Sequence, residues 1–234
     1  MPSKNIIKTY VENGCYHIYN RGVEKRNIFQ DEQDYRVFLS YLKLYLLPKE
    51  ETSSTIKNSV EYGAKNKEKT ISELYKLNNF FDKIELICFV LMPNHFHLEL
   101  KQLGKKEIEN FMRSLITKYS KYFNKKYERV GPLFQSRYKA VLIKNTEHLI
   151  YLSKYIHSNP VEILAKNQIL ESYPWNSYPA FLNRIKINWL KKDIIINSFL
   201  KNGIFSVNLY KNFVEDIGEQ TNEDLKAHKN LFID

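Results

Sequence analysis

The sequence predicts an α+β fold in which helices pack on an antiparallel sheet. Three observations carry that reading. Short apolar runs alternate with period two, and longer ones recur at a spacing of three and four residues. The runs follow one another as strand, helix, strand, strand, helix, strand, helix, which is the split βαβ order of ferredoxin-like and RRM-like sheets. Turn chemistry at Gly14, Gly22, Pro48, Pro93-Asn94 and Gly131-Pro132 falls where those elements should stop.

Taken in order, residues 14–22 alternate and have a glycine at each end, as a first strand should. Asp31 opens a helix whose apolar positions are Tyr35, Phe38, Leu39, Leu42 and Leu46, and Pro48 stops it. From Lys49 to about Asn79 the composition turns to Lys, Glu, Ser, Thr and Asn, which predicts an inserted, mobile surface excursion. Residues 84–91 form a β-prone apolar run, Met92-Pro93-Asn94 turns the chain, and a second strand of a hairpin begins at His95. Residues 107–128 give the strongest helical pattern. Ile108, Phe111, Met112, Leu115, Tyr119, Tyr122 and Phe123 form its buried stripe, and Lys118, Lys121 and Lys125 line a basic face. Residues 137–143 read as a fourth strand, and Asn145 or Thr146 caps a helix carrying Leu149, Leu152, Tyr155 and Ile156. This order places the helices on one face of the sheet. Residues 185–199 and 208–214 read as short helices of a small C-terminal helical appendage, giving a domain of residues 1–182 with the insertion at about 49–79, followed by an appendage at 183–234.

With 234 residues and 43% hydrophobic content the chain can bury one core of ordinary size, which excludes a disordered protein. A net charge of +10, with 17 Tyr and 14 Phe interleaved among the cations, points to a polyanion and to nucleic acid before membrane. Cys15 and Cys88 are too few for a disulfide framework or a Cys-based zinc site, so a reducing, cytoplasmic setting is expected. No stretch has the apolar length of a membrane span, and residues 1–14 lack the apolar centre of a signal peptide.

The triplet His95-Phe96-His97 entering a strand puts both imidazoles on one face, where they can hold a metal. By itself the triplet is equally compatible with hydrogen-bonded strand histidines. Asn159 before Pro160 fits the N-cap of a following short segment as well as any polar site. His17 and His157 read as hydrogen-bonded structural histidines, His148 as a surface one, and the Trp175 block as core packing.

Five blocks, in order, resolve these alternatives together. Tyr16-His17-Ile18-Tyr19-Asn20-Arg21-Gly22, Met92-Pro93-Asn94-His95-Phe96-His97, Gly131-Pro132-Leu133-Phe134-Gln135-Ser136-Arg137-Tyr138, Tyr155-Ile156-His157-Ser158-Asn159-Pro160-Val161 and Tyr173-Pro174-Trp175-Asn176-Ser177-Tyr178 resemble the IS200-like single-tyrosine transposases. The nearest branch is the REP-associated tyrosine transposases. The resemblance spans residues about 14–182 and implies an HUH nuclease core, with His95, His97 and Asn159 as ligands of a divalent cation, Mg²⁺ or Mn²⁺, and Tyr155 as nucleophile. Asn at 159 follows the REP-associated branch, whereas Gln is expected there in IS200 elements proper. The implied partner is single-stranded DNA carrying a hairpin or short palindromic repeat, cleaved through a covalent 5′-phosphotyrosine by a monomer or homodimer.

The residue chemistry agrees with that implication. A cation polarises a phosphodiester and takes up the charge of displacement, and a phosphotyrosine conserves the bond for rejoining, so no nucleotide-binding Gly-rich loop is required. Arg21, Arg137 and Lys139, at strand ends, and the face of Lys118, Lys121 and Lys125 are the expected phosphate contacts; for the first three a solvated or salt-bridged role is the alternative. Lys154 beside the nucleophile is expected to favour its phenolate. The competing function is a domesticated DNA-binding protein that keeps the fold without mobilising an element. A zinc hydrolase lacks a third ligand at a familiar spacing.

Overall fold

The computed structural model describes residues 9–58 and 64–216. Four strands, β1 (Cys15–Arg21), β2 (Ile84–Met92), β3 (His95–Gln102) and β4 (Lys139–Ile143), form one sheet in the order β2-β3-β1-β4, and every neighbouring pair is antiparallel. β1 and β2 therefore run parallel with β3 between them, which is the split βαβ arrangement the order of elements predicts.

The helices form where their boundary signals lie. Asp31 accepts from the backbone N–H of Asp34 (3.1 Å) to cap α1 (Glu32–Leu46), and α1 stops before Pro48. Asn145 caps α5 (Thr146–Ser158) by accepting from the N–H of His148 at 2.8 Å. α4 (Glu107–Lys126) buries Ile108, Phe111, Met112, Leu115, Tyr119 and Phe123. Tyr122, expected in that stripe, is only half-buried because its hydroxyl donates to Asp34 Oδ1 (2.9 Å).

Helices cover both faces of the sheet, not one as the element order suggested. α1 and α4 pack on the face that carries Tyr16, Ile18, Phe96, Leu98 and Leu100. α5 packs on the other face, against Cys88, Val90, Met92 and Ile143. α5 follows the last strand, so no crossover fixes its side, and its stripe Leu149, Leu152 and Ile156 settles on the apolar surface still open.

The expected excursion at residues 49–79 is instead built largely of helix: α2 (Lys49–Asn58) and α3 (Ala64–Lys76) pack on each other, and Leu74 is buried. Residues 59–63 of that segment lie outside the described residues, as do both chain ends, residues 1–8 and 217–234. After α5 the chain returns along the outer edge of β2. The N–H of Leu91 donates to the carbonyl of Trp175 (2.9 Å), that of Ser177 to Phe89 (3.0 Å) and that of Lys191 to Leu86 (2.8 Å), so this edge is paired. Short helices α6 (Tyr178–Phe181) and α7 (Asp193–Ile196), a two-residue hairpin of β5 (Leu200–Lys201) and β6 (Ile204–Phe205), and α8 (Val207–Glu215) complete the chain. α8 lies on α5 and buries Tyr210 and Val214 in the same cluster as α5. Trp175 stacks on Tyr35 (centroids 4.5 Å, 10°) and so packs as expected. Among the described residues no helix is long and apolar enough to cross a membrane.

Candidate active site and nucleic-acid interface

The site grows from strand alternation. Arg21, Tyr19 and His17 on β1 stand directly opposite His95, His97 and Glu99 on β3, and all six side chains share the face that α5 covers. The two-residue turn Pro93-Asn94 delivers His95 at the start of β3. Asn94 Oδ1 accepts from His95 Nδ1 (2.6 Å), which places a proton on that nitrogen of the ring. The His95 and His97 rings lie with centroids 5.0 Å apart and nearly perpendicular at 88°.

His97 is buried, and burial, reinforced by His17, His95 and Arg21, holds its imidazole well below the usual histidine range. It is therefore neutral, as a ligand must be. Its Nδ1 shares a 2.8 Å hydrogen bond with His17 Nε2, while its Nε2 is buried with no hydrogen-bond partner. A buried imidazole nitrogen without a partner costs roughly 1–3 kcal/mol, and a bond to a cation offsets that cost. Two imidazoles on one strand face are donors of a kind that a divalent cation takes. Among the described residues no third His, Cys, Asp or Glu joins them as a metal-holding group.

Two tyrosines of α5, four residues apart, are separated by their surroundings. Tyr155 meets His97 edge-on (centroids 5.3 Å, 87°) and His17 likewise (6.0 Å, 76°). Tyr151 packs on Phe213 of α8 (5.7 Å, 62°). Asn159 caps the C-terminus of α5, its N–H donating to the Tyr155 carbonyl one turn earlier, and is half-buried. Lys154 Nζ donates to the Asp216 carbonyl (3.0 Å) and lies 5.1 Å from the centre of the Phe213 ring of α8.

The cationic candidates divide. Arg21 and Lys139 line a small cavity with His95, Tyr19, Asn20 and Gln135, and Lys139 Nζ lies over the Tyr19 ring at 5.6 Å. Arg137 is exposed and lines a groove with Tyr10, Tyr138 and Arg113 on the α4 side. Lys118 and Lys121 line a broad open groove on α4 with Lys76, Lys83, Arg113 and Asn110; α4 and Tyr155 lie on opposite faces of the sheet. Lys125, from the same helix, is exposed. Lys118 also sits over the Tyr41 ring (5.5 Å), where partial burial lowers its pKa.

IS200-like transposases match the chain by family model over residues 37–159, a span that holds His95, His97, Tyr155 and Asn159. The chain belongs to the IS200-like transposase family. The transposase has no match among curated proteins. Among solved structures, a REP-associated tyrosine transposase bound to a REP hairpin aligns with a TM-score of 0.45 and 14% identity, over 78% of this transposase and 87% of that chain.

Both histidines read as structural prove to be hydrogen-bonded. His157 bonds Tyr210 Oη (2.7 Å) through Nδ1 and Ser177 Oγ (2.8 Å) through Nε2, and burial pushes its imidazole down to about 3. His17 bonds His97 directly. His148 is half-buried, less exposed than the sequence suggested. Two polar residues of this face were not singled out from the sequence. Glu99 is fully buried, accepts from Cys88 Sγ (3.1 Å) and has its carboxyl pushed up to about 8 by burial. The same alternation that pairs His95 with His97 reaches Glu99 two residues on, so the signal was present. Gln135 enters the cavity from the loop before β4, where no periodicity marks it.

Proposed function

We propose that this transposase, an enzyme that acts on DNA, cleaves and rejoins single-stranded DNA at a hairpin or short palindromic repeat, as a member of the REP-associated branch, with Tyr155 as nucleophile and His95, His97 and Asn159 as ligands of Mg²⁺ or Mn²⁺. The observation that carries this reading is the seat of Tyr155 against His97, with ring centroids 5.3 Å apart, while Tyr151 is turned onto Phe213.

A bound cation supplies Lewis-acid stabilisation of the charge that gathers on the scissile phosphate. The Tyr155 hydroxyl gives up its proton to water as its oxygen attacks phosphorus, an O–P bond forms, the bond from phosphorus to the 3′ oxygen breaks, and that oxygen takes a proton from water and leaves as a 3′ hydroxyl. Rejoining reverses these steps with a 3′ hydroxyl as nucleophile. Arg21 and Lys139, beside His95, orient the phosphate. Arg137, Lys118, Lys121 and Lys125 hold flanking DNA at a distance from the chemistry. We divide the chain into a catalytic domain, residues 1–182, and an appendage, residues 183–234, whose α8 braces the nucleophile helix; the setting is cytoplasmic and the working form a monomer or homodimer.

Replacing His95 or His97 with Ala removes chelation and should abolish cleavage of a labelled hairpin in Mg²⁺ or Mn²⁺, while hairpin affinity stays near that of the parent. Cleavage by His95→Ala at the parent rate in EDTA would show the metal assignment to be wrong.

A further inference from the structure

His17 lies on β1, outside the span that matches the family model, yet it touches two parts of the site. It is fully buried, its Nε2 lies 2.8 Å from His97 Nδ1, and the two rings stack at 5.0 Å with 23° between their planes. It also stacks on Tyr19 (4.8 Å, 29°) and lies steeply inclined to the Tyr155 ring (6.0 Å, 76°). These contacts leave the ring one orientation.

Two imidazoles that share one hydrogen bond must divide it, one giving N–H and the other a lone pair. If His97 Nδ1 accepted, the proton of His97 would sit on Nε2, which would then be a buried N–H with no partner and could not ligate a metal. If His97 Nδ1 donates, the lone pair of Nε2 faces the cation side, matching His95, whose Nδ1 donates to Asn94. We propose that His17 is a positioning residue: it accepts from His97 Nδ1–H, fixes the tautomer that presents Nε2 to the cation, and braces the Tyr155 ring beside it. The proposal rests on the reading of His97 as a metal ligand.

The test uses the full chain, with Mn²⁺ alone as probe. In the metal-free parent, long-range ¹⁵N–¹H correlations should show His97 protonated at Nδ1. His17→Phe keeps the ring and removes the acceptor, and should weaken Mn²⁺ binding, read from the paramagnetic resonance signal of free Mn²⁺, by about 10- to 100-fold, the usual loss for a partner that orients a ligand. His17→Gln puts a carbonyl oxygen near the Nε2 position and should recover most of that affinity, which a role in packing alone would not produce. Thermal melting and hairpin affinity in EDTA report whether each variant is folded. Parent-like Mn²⁺ affinity in a folded His17→Phe chain, or a His97 proton found on Nε2 in the parent, would overturn the role of His17; the second reading requires no variant to fold. The metal reading fails separately. A parent chain that binds no Mn²⁺ sinks both proposals, whereas loss of binding in His97→Ala with none in His17→Phe sinks only this one.

Discussion

The two faces of the four-stranded sheet are made by the same strands and do opposite work. On the α1 and α4 side, Phe96 meets Phe38 (5.3 Å, 42°), Phe38 meets Tyr119 (5.0 Å, 80°), and the buried groups around them are mainly hydrocarbon and aromatic, with Asp34 and Gln102 as buried polar groups that are both hydrogen-bonded. On the α5 side the residues before and after Phe96 are His95 and His97, and the buried set includes His17, Glu99 and the partnerless His97 Nε2. A mainly apolar, interdigitated face fixes the strand backbone, and that fixed backbone holds costly polar groups out of water on the other side. The difference teaches that period-two alternation separates a mainly apolar face from a polar one within a single strand.

The comparison breaks most visibly at Phe38. Phe38→Ala opens a cavity among Phe29, Phe96 and Tyr119 and should cost about 3–5 kcal/mol in denaturant unfolding. Adduct formation per folded molecule should stay close to the parent's. Loss of the adduct in molecules that remain folded would mean the two faces are not separable.

A smaller effect is expected on the polar side. His157→Phe keeps the ring but takes a partner from both Tyr210 Oη and Ser177 Oγ, each of which retains another. Its cost should be roughly 2 kcal/mol by the same unfolding measurement. A loss as large as that of Phe38→Ala would place as much stability on the polar face as on the mainly apolar one.

The smallest change in stability belongs to the basic face of α4. Removing Lys118, Lys121 and Lys125 together should leave the unfolding midpoint nearly in place, since each surface change is worth no more than about 0.5 kcal/mol. The slope of log K against log salt for hairpin binding should flatten by roughly 0.7–0.9 for each phosphate that a lysine no longer neutralises. An unchanged slope would reduce the stripe to a solvated surface.

Much of this organisation was legible in the chain. Alternation placed His95 and His97 together, helical spacing placed the stripe of α4, and Asp31 and Asn145 marked the helix starts. What escaped was set by long-range packing. Nothing in the order of elements says which face receives a helix that follows the last strand, so α5 and α8 were not foreseen on the second face. The polar composition of residues 49–79 concealed α2 and α3, whose few apolar positions, Leu74 among them, suffice because the two helices pack on each other. Lys154 is adjacent to Tyr155 in sequence but about 100° away around the helix, and its bond to the Asp216 carbonyl is a contact that sequence adjacency does not show. The bond from His17 to His97 joins residues 80 apart and became visible only with the register of β1 on β3.

The central claim is that α5 presents Tyr155, and not Tyr151, to the histidine pair. A denaturing gel of the protein incubated with labelled single-stranded hairpin and Mn²⁺ tests it most directly, because replacing either tyrosine with Phe removes only an oxygen and leaves the ring to pack. Tyr155→Phe should bind the hairpin and form no covalent band, and Tyr151→Phe should form the band at the parent level. A covalent band from Tyr155→Phe with none from Tyr151→Phe would contradict the account.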